Sequence, residues 1–200
     1  MFDFAHVNDA EPFLVDKLSG KRFLESAGGS SNSSMFVAPY PPSQQEEAAR
    51  MVAALKGDLA TRGVEAVVVD LFDLFCSIHD EQGLWEPYCD IEATTPPARF
   101  IMALKDAADL ETQILPRLAE RAKDPAIRLL IVTGMGACYP VIHTHQLVEL
   151  LMERGMRVPV LIMFPGRQTV RPDGSTSLDI LATPPGEGGP KYRARNIFSL

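Results

Sequence analysis

Four short apolar runs set the frame of this chain: Met35-Phe36-Val37-Ala38, Ala66-Val67-Val68-Val69-Asp70-Leu71, Arg128-Leu129-Leu130-Ile131-Val132 and Val158-Pro159-Val160-Leu161-Ile162-Met163-Phe164. None alternates polar with apolar residues, so each reads as a strand buried on both faces. Stretches with helical spacing separate them. Strand and helix therefore alternate four times, which implies parallel strands joined by right-handed crossovers. The expected fold is α/β: a Rossmann-like, doubly wound, mainly parallel sheet of four or five strands with flanking helices.

The helical segments are readable from their punctuation. Residues 1–26 form an expected helical arm with a stripe of Phe13, Leu14, Leu18, Phe23 and Leu24, its first segment ending at Gly20. A Gly/Ser connector over 28–34 lets the arm swing or dock. The first strand is expected to break at Pro39-Tyr40-Pro41-Pro42. Ser43, with Glu46 as reciprocal partner, is the expected cap of a helix that buries Val52, Leu55 and Leu59 and stops at Gly63. A helix over about 73–80 gives way to irregular chain around Gly83 and Pro87. Thr95-Pro96-Pro97 opens another helix, which Pro116 kinks or ends before a last helical stretch over 117–123. A helix over about 141–153 is closed by Gly155. The fourth strand ends at Pro165-Gly166. Beyond Gln168 the pattern fails, leaving a strand-like fragment at 177–181 and a short edge strand at 192–198. The division expected is an arm and connector at 1–34, a body at 35–167, and a Pro/Gly-rich segment with an edge strand at 168–200.

Composition narrows the function. A net charge of −7 and a pI near 5.1 disfavour bare nucleic acid as the main partner, because such binding rests on neutralised phosphates. A local basic strip of Arg167, Arg171, Lys191, Arg193 and Arg195 offers either a contact to nucleic acid or a solvated tail. Cys76, Cys89 and Cys138 are widely spaced with no Cys-x-x-Cys, which fits reduced thiols in the cytoplasm. The N-terminus lacks the pattern of a secretory signal, and no apolar run reaches bilayer length. A soluble cytoplasmic protein is expected.

In open α/β sheets, ligands bind beyond the carboxyl ends of the strands. The loops expected there supply a candidate pocket or partner-facing rim of Tyr40, Asp70, Asp73, Gly134, Gly136, Tyr139, His143, His145 and Arg167. After the first strand, Pro39, Pro41 and Pro42 have no N–H to offer a pyrophosphate, so a conventional nucleotide loop has no place there. Tyr40 is either held for a partner or packed on the sheet. Asp70 and Asp73 read as a carboxylate pair able to hold magnesium, or as a strand end and a helix cap. Ile131 to Pro140 reads as strand, glycine loop and helix start, without the lysine and following Ser or Thr of a phosphate-transferring loop. Cys138 near that helix start and His143 suggest a nucleophile and base, but no orienting acid stands nearby. His143 and His145, two apart on a helix, would point about 200° from each other and share no metal. Arg167 binds an anion or pairs with Asp70. No catalytic residues, metal site or cofactor are assigned.

The order of the motifs carries more than any one of them. Tyr40-Pro41-Pro42 comes first, then Asp70-Leu71-Phe72, then Thr133-Gly134-Met135-Gly136-Ala137-Cys138-Tyr139-Pro140 with His145, then Met163-Phe164-Pro165-Gly166, and last Tyr192-Arg193-Ala194. Together they resemble the BrxB family, a component of the BREX phage-defence systems of bacteria, over about residues 8–167 and again in the last ten. The chain departs from the family pattern in having His143 where the family favours Arg, and in a longer Pro/Gly-rich stretch over 171–189. The resemblance implies a role beside a methyltransferase, an ATPase and the alkaline-phosphatase-like protein PglZ. It implies a non-enzymatic adaptor that binds a PglZ-like partner and other BREX components, with direct DNA binding and membrane association not expected. The alternative is a nucleotide-sensing or nucleotide-hydrolysing domain using the loop from Gly134 to Cys138.

Overall fold

Five strands line up in parallel in the order β2-β3-β4-β1-β6: β1 is Met35–Tyr40, β2 Glu65–Asp70, β3 Ile127–Thr133, β4 Val160–Val170 and β6 Arg195–Asn196. A further strand, β5 (Thr176–Ile180), pairs antiparallel with the far half of β4. The structure is a computed structural model that describes residues 6–25, 34–170, 176–180 and 194–199.

The strand path puts helices on both faces. From β1 the chain passes two strand positions to β2 at the far edge, then steps back singly to β3 and β4. With right-handed crossovers, that reversal sends the connections to opposite sides. The β1–β2 crossover is α3 (Gln45–Thr61), which buries Met51, Val52, Leu55 and Leu59 against Phe36, Leu129, Ile131 and Leu161. On the other face, α4 (Leu71–Glu81), α7 (Leu115–Arg121) and α8 (Thr144–Arg154) pack on Val37, Leu130, Val132, Ile162 and Phe164. Neighbours along one strand thus serve different cores, which is why these runs are apolar throughout.

The arm lies on the α3 face. Its helices α1 (Glu11–Ser19) and α2 (Lys21–Leu24) bury Leu14, Val15, Leu18 and Phe23, and the Phe23 ring centre lies 4.6 Å from that of Phe36. Each such side chain contributes roughly 1.5–3 kcal/mol by leaving water. The exposed Arg62–Asp16 ion pair at 2.5 Å adds at most about 1 kcal/mol. Apolar burial therefore holds this arm on its own body. The connector over 28–34 lies almost wholly outside the described residues.

Several local readings need correction. β1 does not break at Pro39, which pairs with Phe164 of β4; among the described residues β6 reaches only Phe36 and Val37, so no ladder bond is asked of the missing N–H on that side. Ser43 sits inside a 3₁₀ turn, Pro42–Gln44, and does not cap α3. The irregular region at Pro87 is instead α5 (Trp85–Glu92), with the proline in the first turn, where no N–H is needed. The next helix, α6 (Pro97–Ala107), ends well before Pro116. There Asp109 turns extended and accepts from the N–H groups of Glu111 and Thr112, opening a π turn at Leu110–Ile114. Pro116 then falls harmlessly in the first turn of α7. β4 runs on through Pro165-Gly166 because β5, the strand-like fragment expected at 177–181, pairs with it from Gly166 to Val170. Gln168 Nε2 donates to the Ala194 carbonyl at 2.9 Å and joins this hairpin to the approach of β6. Tyr192 and Arg193 lie outside the described residues.

Candidate functional site

Pairing of β2 with β3 sets Asp70 opposite Thr133 at the carboxyl edge of the sheet. Asp70 Oδ2 accepts from Thr133 Oγ1 at 2.9 Å, and Oδ1 accepts from the N–H groups of Phe72 at 2.9 Å and Asp73 at 3.1 Å. Asp70, not Asp73, therefore caps α4, and Asp73 is an exposed residue of its first turn. Both Asp70 oxygens are in use. Holding a magnesium ion there would release the helix cap and the bridge to β3.

The glycines next to it are fixed by close approach. Gly134 has φ of 74°, and a Cβ there would meet Asp70 Oδ1 at 2.2 Å. A Cβ on Gly136 would meet the Pro165 ring at 2.8 Å. One glycine lets the loop lie against the end of β2, the other against β4. Asp70, Thr133, Gly134, Gly136 and Pro165 thus form one interlocked set across the ends of β2 and β3 and the middle of β4.

The loop does not open directly into a helix. Residues 134–143 turn above the sheet, with a cis Tyr139-Pro140 bond, and α8 starts at Thr144 with His143 as its N-cap residue. Cys138 consequently lies away from the helix start and is 3% exposed. Burial first, then the Asp70 charge, pushes its thiol up to about 12. Burial keeps this thiol from a substrate and disfavours its thiolate, which is the opposite of what a Cys138–His143 nucleophile and base would need.

The two histidines do meet, contrary to the 200° argument. His143 has an extended backbone and only His145 is helical, so their ring centres come within 5.4 Å. The Tyr139 ring stands edge-on to His143 at 5.3 Å. Two imidazoles supply half of a four-ligand structural zinc set. Among the described residues, no group of three or more His, Cys, Asp or Glu side chains gathers to hold a metal.

Both rings titrate below their ordinary value of 6.5. For His143 burial leads, followed by the Lys105 charge; for His145 burial leads, then His143, with Glu149 opposing. Between the ordinary and the depressed values, the unfolded chain binds more protons than the folded one. Stability is therefore full above pH 6.5 and falls as the pH drops through that window. The urea midpoint should fall from pH 7.5 to pH 5 by less in a His143→Asn/His145→Asn variant than in the wild type. Equal losses would show that these rings do not supply the slope.

The remaining rim residues separate. Tyr40 is 3% exposed, its hydroxyl donates to Gln45 Oε1 at 2.5 Å, and burial raises its pKa, so its ring is not presented to a partner. Arg167 is exposed on β4, opposite Asp179 of β5 in register, and forms no ion pair with Asp70. Of the basic strip, Arg195 lies with its guanidinium 5.6 Å from the Phe36 ring centre; Arg171, Lys191 and Arg193 fall outside the described residues.

A second cluster escaped the sequence reading. His79 is fully buried, its Nδ1 2.8 Å from the Phe75 carbonyl and its Nε2 3.2 Å from the Leu104 carbonyl. The rings of Phe75, Trp85 and Tyr88 surround it at 4.2, 5.2 and 5.7 Å. Its signal was available: His79 falls on the apolar stripe of α4 with Leu71, Phe75 and Ile78, a position where a polar ring needs partners. Around it, Phe72, Trp85, Ile91 and Met102 are exposed, and α6 buries none of its residues despite an amphipathic sequence.

Comparison with known proteins adds the family. The model described as "BREX protein BrxB" matches residues 67–197, which include the Asp70–Gly134–Pro165 set and the His79 cluster. The BREX protein BrxB of Bacillus cereus (strain H3081.97) is 22% identical over 167 residues, covering 80% of this chain and 84% of that protein. The BREX protein BrxB of Escherichia coli O9:H4 (strain HS) is 21% identical over 153 residues, 76% of each chain. No solved structure matches. Among the described residues, no helix is long and apolar enough to cross a membrane.

Proposed function

This chain belongs to the BrxB family of BREX proteins, and from that premise we propose that it acts as a non-catalytic adaptor in a cytoplasmic BREX assembly, binding a PglZ-like partner. The observation that carries this reading is the use to which the motif residues are put. Asp70 caps a helix and bridges two strands, while Gly134 and Gly136 allow close approach to Asp70 and Pro165. Cys138 is buried, which disfavours its thiolate. Residues that could have formed a reacting centre instead lock three neighbouring strands together, which makes a rigid body suited to presenting a surface.

The same geometry weakens the nucleotide alternative, because the two glycines are occupied by protein contacts. A nucleotide that bound the folded loop would stabilise the protein by about 2.7 kcal/mol at a hundredfold excess over its Kd. Melting scans with ATP, GTP and NAD should show no shift; a shift would restore that alternative. The acidic total charge likewise favours a protein over DNA as partner.

The deciding experiment is co-purification. The tagged chain, expressed with its neighbouring BREX proteins, should recover a PglZ-like protein in about equal amount by mass spectrometry. Recovery of the chain alone at micromolar concentration would remove the adaptor reading.

A further inference from the structure

We propose that the face formed by α5, α6 and the start of α4 is the docking surface of this chain, and that its occupant is a protein surface carrying basic residues around an apolar centre. The inference rests on the adaptor reading and adds to it a place and a partner chemistry.

Apolar exposure is the first observation. Four of the five large hydrophobic residues exposed among the described residues lie here: Phe72 at 40%, Trp85 at 36%, Ile91 at 42% and Met102 at 61%. Ring contacts run from Phe72 to Phe75 (6.3 Å), on to His79 (4.2 Å) and Trp85 (5.2 Å), and from Trp85 to Tyr88 (6.3 Å) and Tyr88 to Phe100 (5.6 Å). A linked aromatic layer thus supports Phe72 and Trp85 and ties α4, α5 and α6 into one face. Tyr88 is the only buried residue of α5, and α6 has none. Two helices of this length that bury so little of themselves leave an apolar face for something else.

Charge decides what that something is. Between Leu71 and Ala107 the chain has seven carboxylates against Arg99 and Lys105, a net −5 of the whole chain's −7, and among the described residues only Glu81 of the seven meets a cation from outside the span, Arg117. Glu86, Asp90 and Glu92 are exposed on α5 itself. By contrast, Arg50 on the outer face of α3 meets Glu46 and Glu47, so the acidic residues there have a cation beside them within the helix. An acidic rim around an apolar centre repels a second copy of the same face, a phosphate backbone and an anionic lipid surface alike. A basic protein face complements it, gaining association rate and orientation from the charges and affinity from the apolar centre.

Cys89 provides the test without any mutation. It is exposed on α5, whereas Cys76 is half-buried and Cys138 buried. Its alkylation by N-ethylmaleimide, followed by mass spectrometry, should slow at least about tenfold when the chain is bound to the BREX protein that co-purifies with it. A Glu86→Lys/Asp90→Lys/Glu92→Lys variant with an unchanged melting curve should lose that partner by at least about tenfold in Kd, and wild-type binding should weaken as salt rises. Arg50→Ala, on α3, should bind as the wild type does.

Other outcomes overturn the proposal. If a partner binds but Cys89 reacts as fast as in the isolated chain, docking occurs elsewhere; the inference falls and the adaptor reading stands. If the isolated chain forms dimers by light scattering that protect Cys89, the occupant is a second copy. Protection of Cys89 by phosphatidylglycerol vesicles would make it a lipid surface. If no BREX protein co-purifies, the adaptor reading and this inference fall together.

Discussion

Gly134→Ala is expected to destabilise the protein by about 2–4 kcal/mol, read as a lower urea midpoint at unchanged m. Two penalties add at this residue. Its φ of 74° is left-handed backbone, which costs an alanine roughly 1–2 kcal/mol. Its Cβ would also stand 2.2 Å from Asp70 Oδ1, and that carboxylate cannot retreat without giving up Phe72, Asp73 and Thr133. Gly63 separates the two penalties, since it closes α3 with a φ of 76° and has nothing within 4 Å of its Cβ. Gly63→Ala should therefore cost only the backbone part. The double variant Asp70→Ala/Gly134→Ala should lose less than the sum of its single variants, because removing the carboxylate removes the clash. Equal losses for Gly134→Ala and Gly63→Ala would mean that the loop does not lie against the end of β2.

His79→Ala carries the second large effect, about 2–4 kcal/mol from the cavity and the lost hydrogen bonds together. Its consequence should also be local. His79 reaches the Leu104 carbonyl of α6 and packs against Trp85 and Tyr88 of α5, helices that have little other burial. Amide hydrogen exchange should accelerate most over residues 85–107, with much smaller changes in β3 and β4. Uniform acceleration across the sheet would show that α5 and α6 are anchored by other contacts. The variant also bears on docking, since the ring that supports Trp85 would be gone.

The sheet was legible because its inner strands are buried twice, although β2, read as equally buried, is a half-exposed edge strand. Leu129 and Ile131 serve one core while Leu130 and Val132 serve the other, and that leaves an uninterrupted apolar run in the sequence. The rim residues were legible as a set, but not in their roles. Asp70 and Gly134 look like ligand-binding types, and only the β2–β3 register shows that they need each other. The His143–His145 angle failed because it assumed a helix from about residue 141, whereas α8 begins at Thr144. α6 ended at Ala107 and Asp109 opened the next turn, where the proline rule favoured a break at Pro116, since a side-chain cap acts through hydrogen bonds that composition does not display. His79 passed unnoticed for the opposite reason. It kept the helical period so well that its polarity was the only sign.

The strand order has a consequence for how the chain is made. β1 sits between β4 and β6, so its principal neighbour, β4, begins at Val160. A ribosome adding about 5–20 residues per second takes on the order of ten seconds to travel from β1 to β4. Throughout that interval Met35–Tyr40, buried along its whole length in the finished fold, has no strand to pair with. β2 and β3 can pair first, and α3 with the arm can shield one side of β1. The nascent protein therefore passes through a stage in which one half of its sheet waits for the other. Slowing translation after β3 should prolong that stage and increase its demand for chaperones.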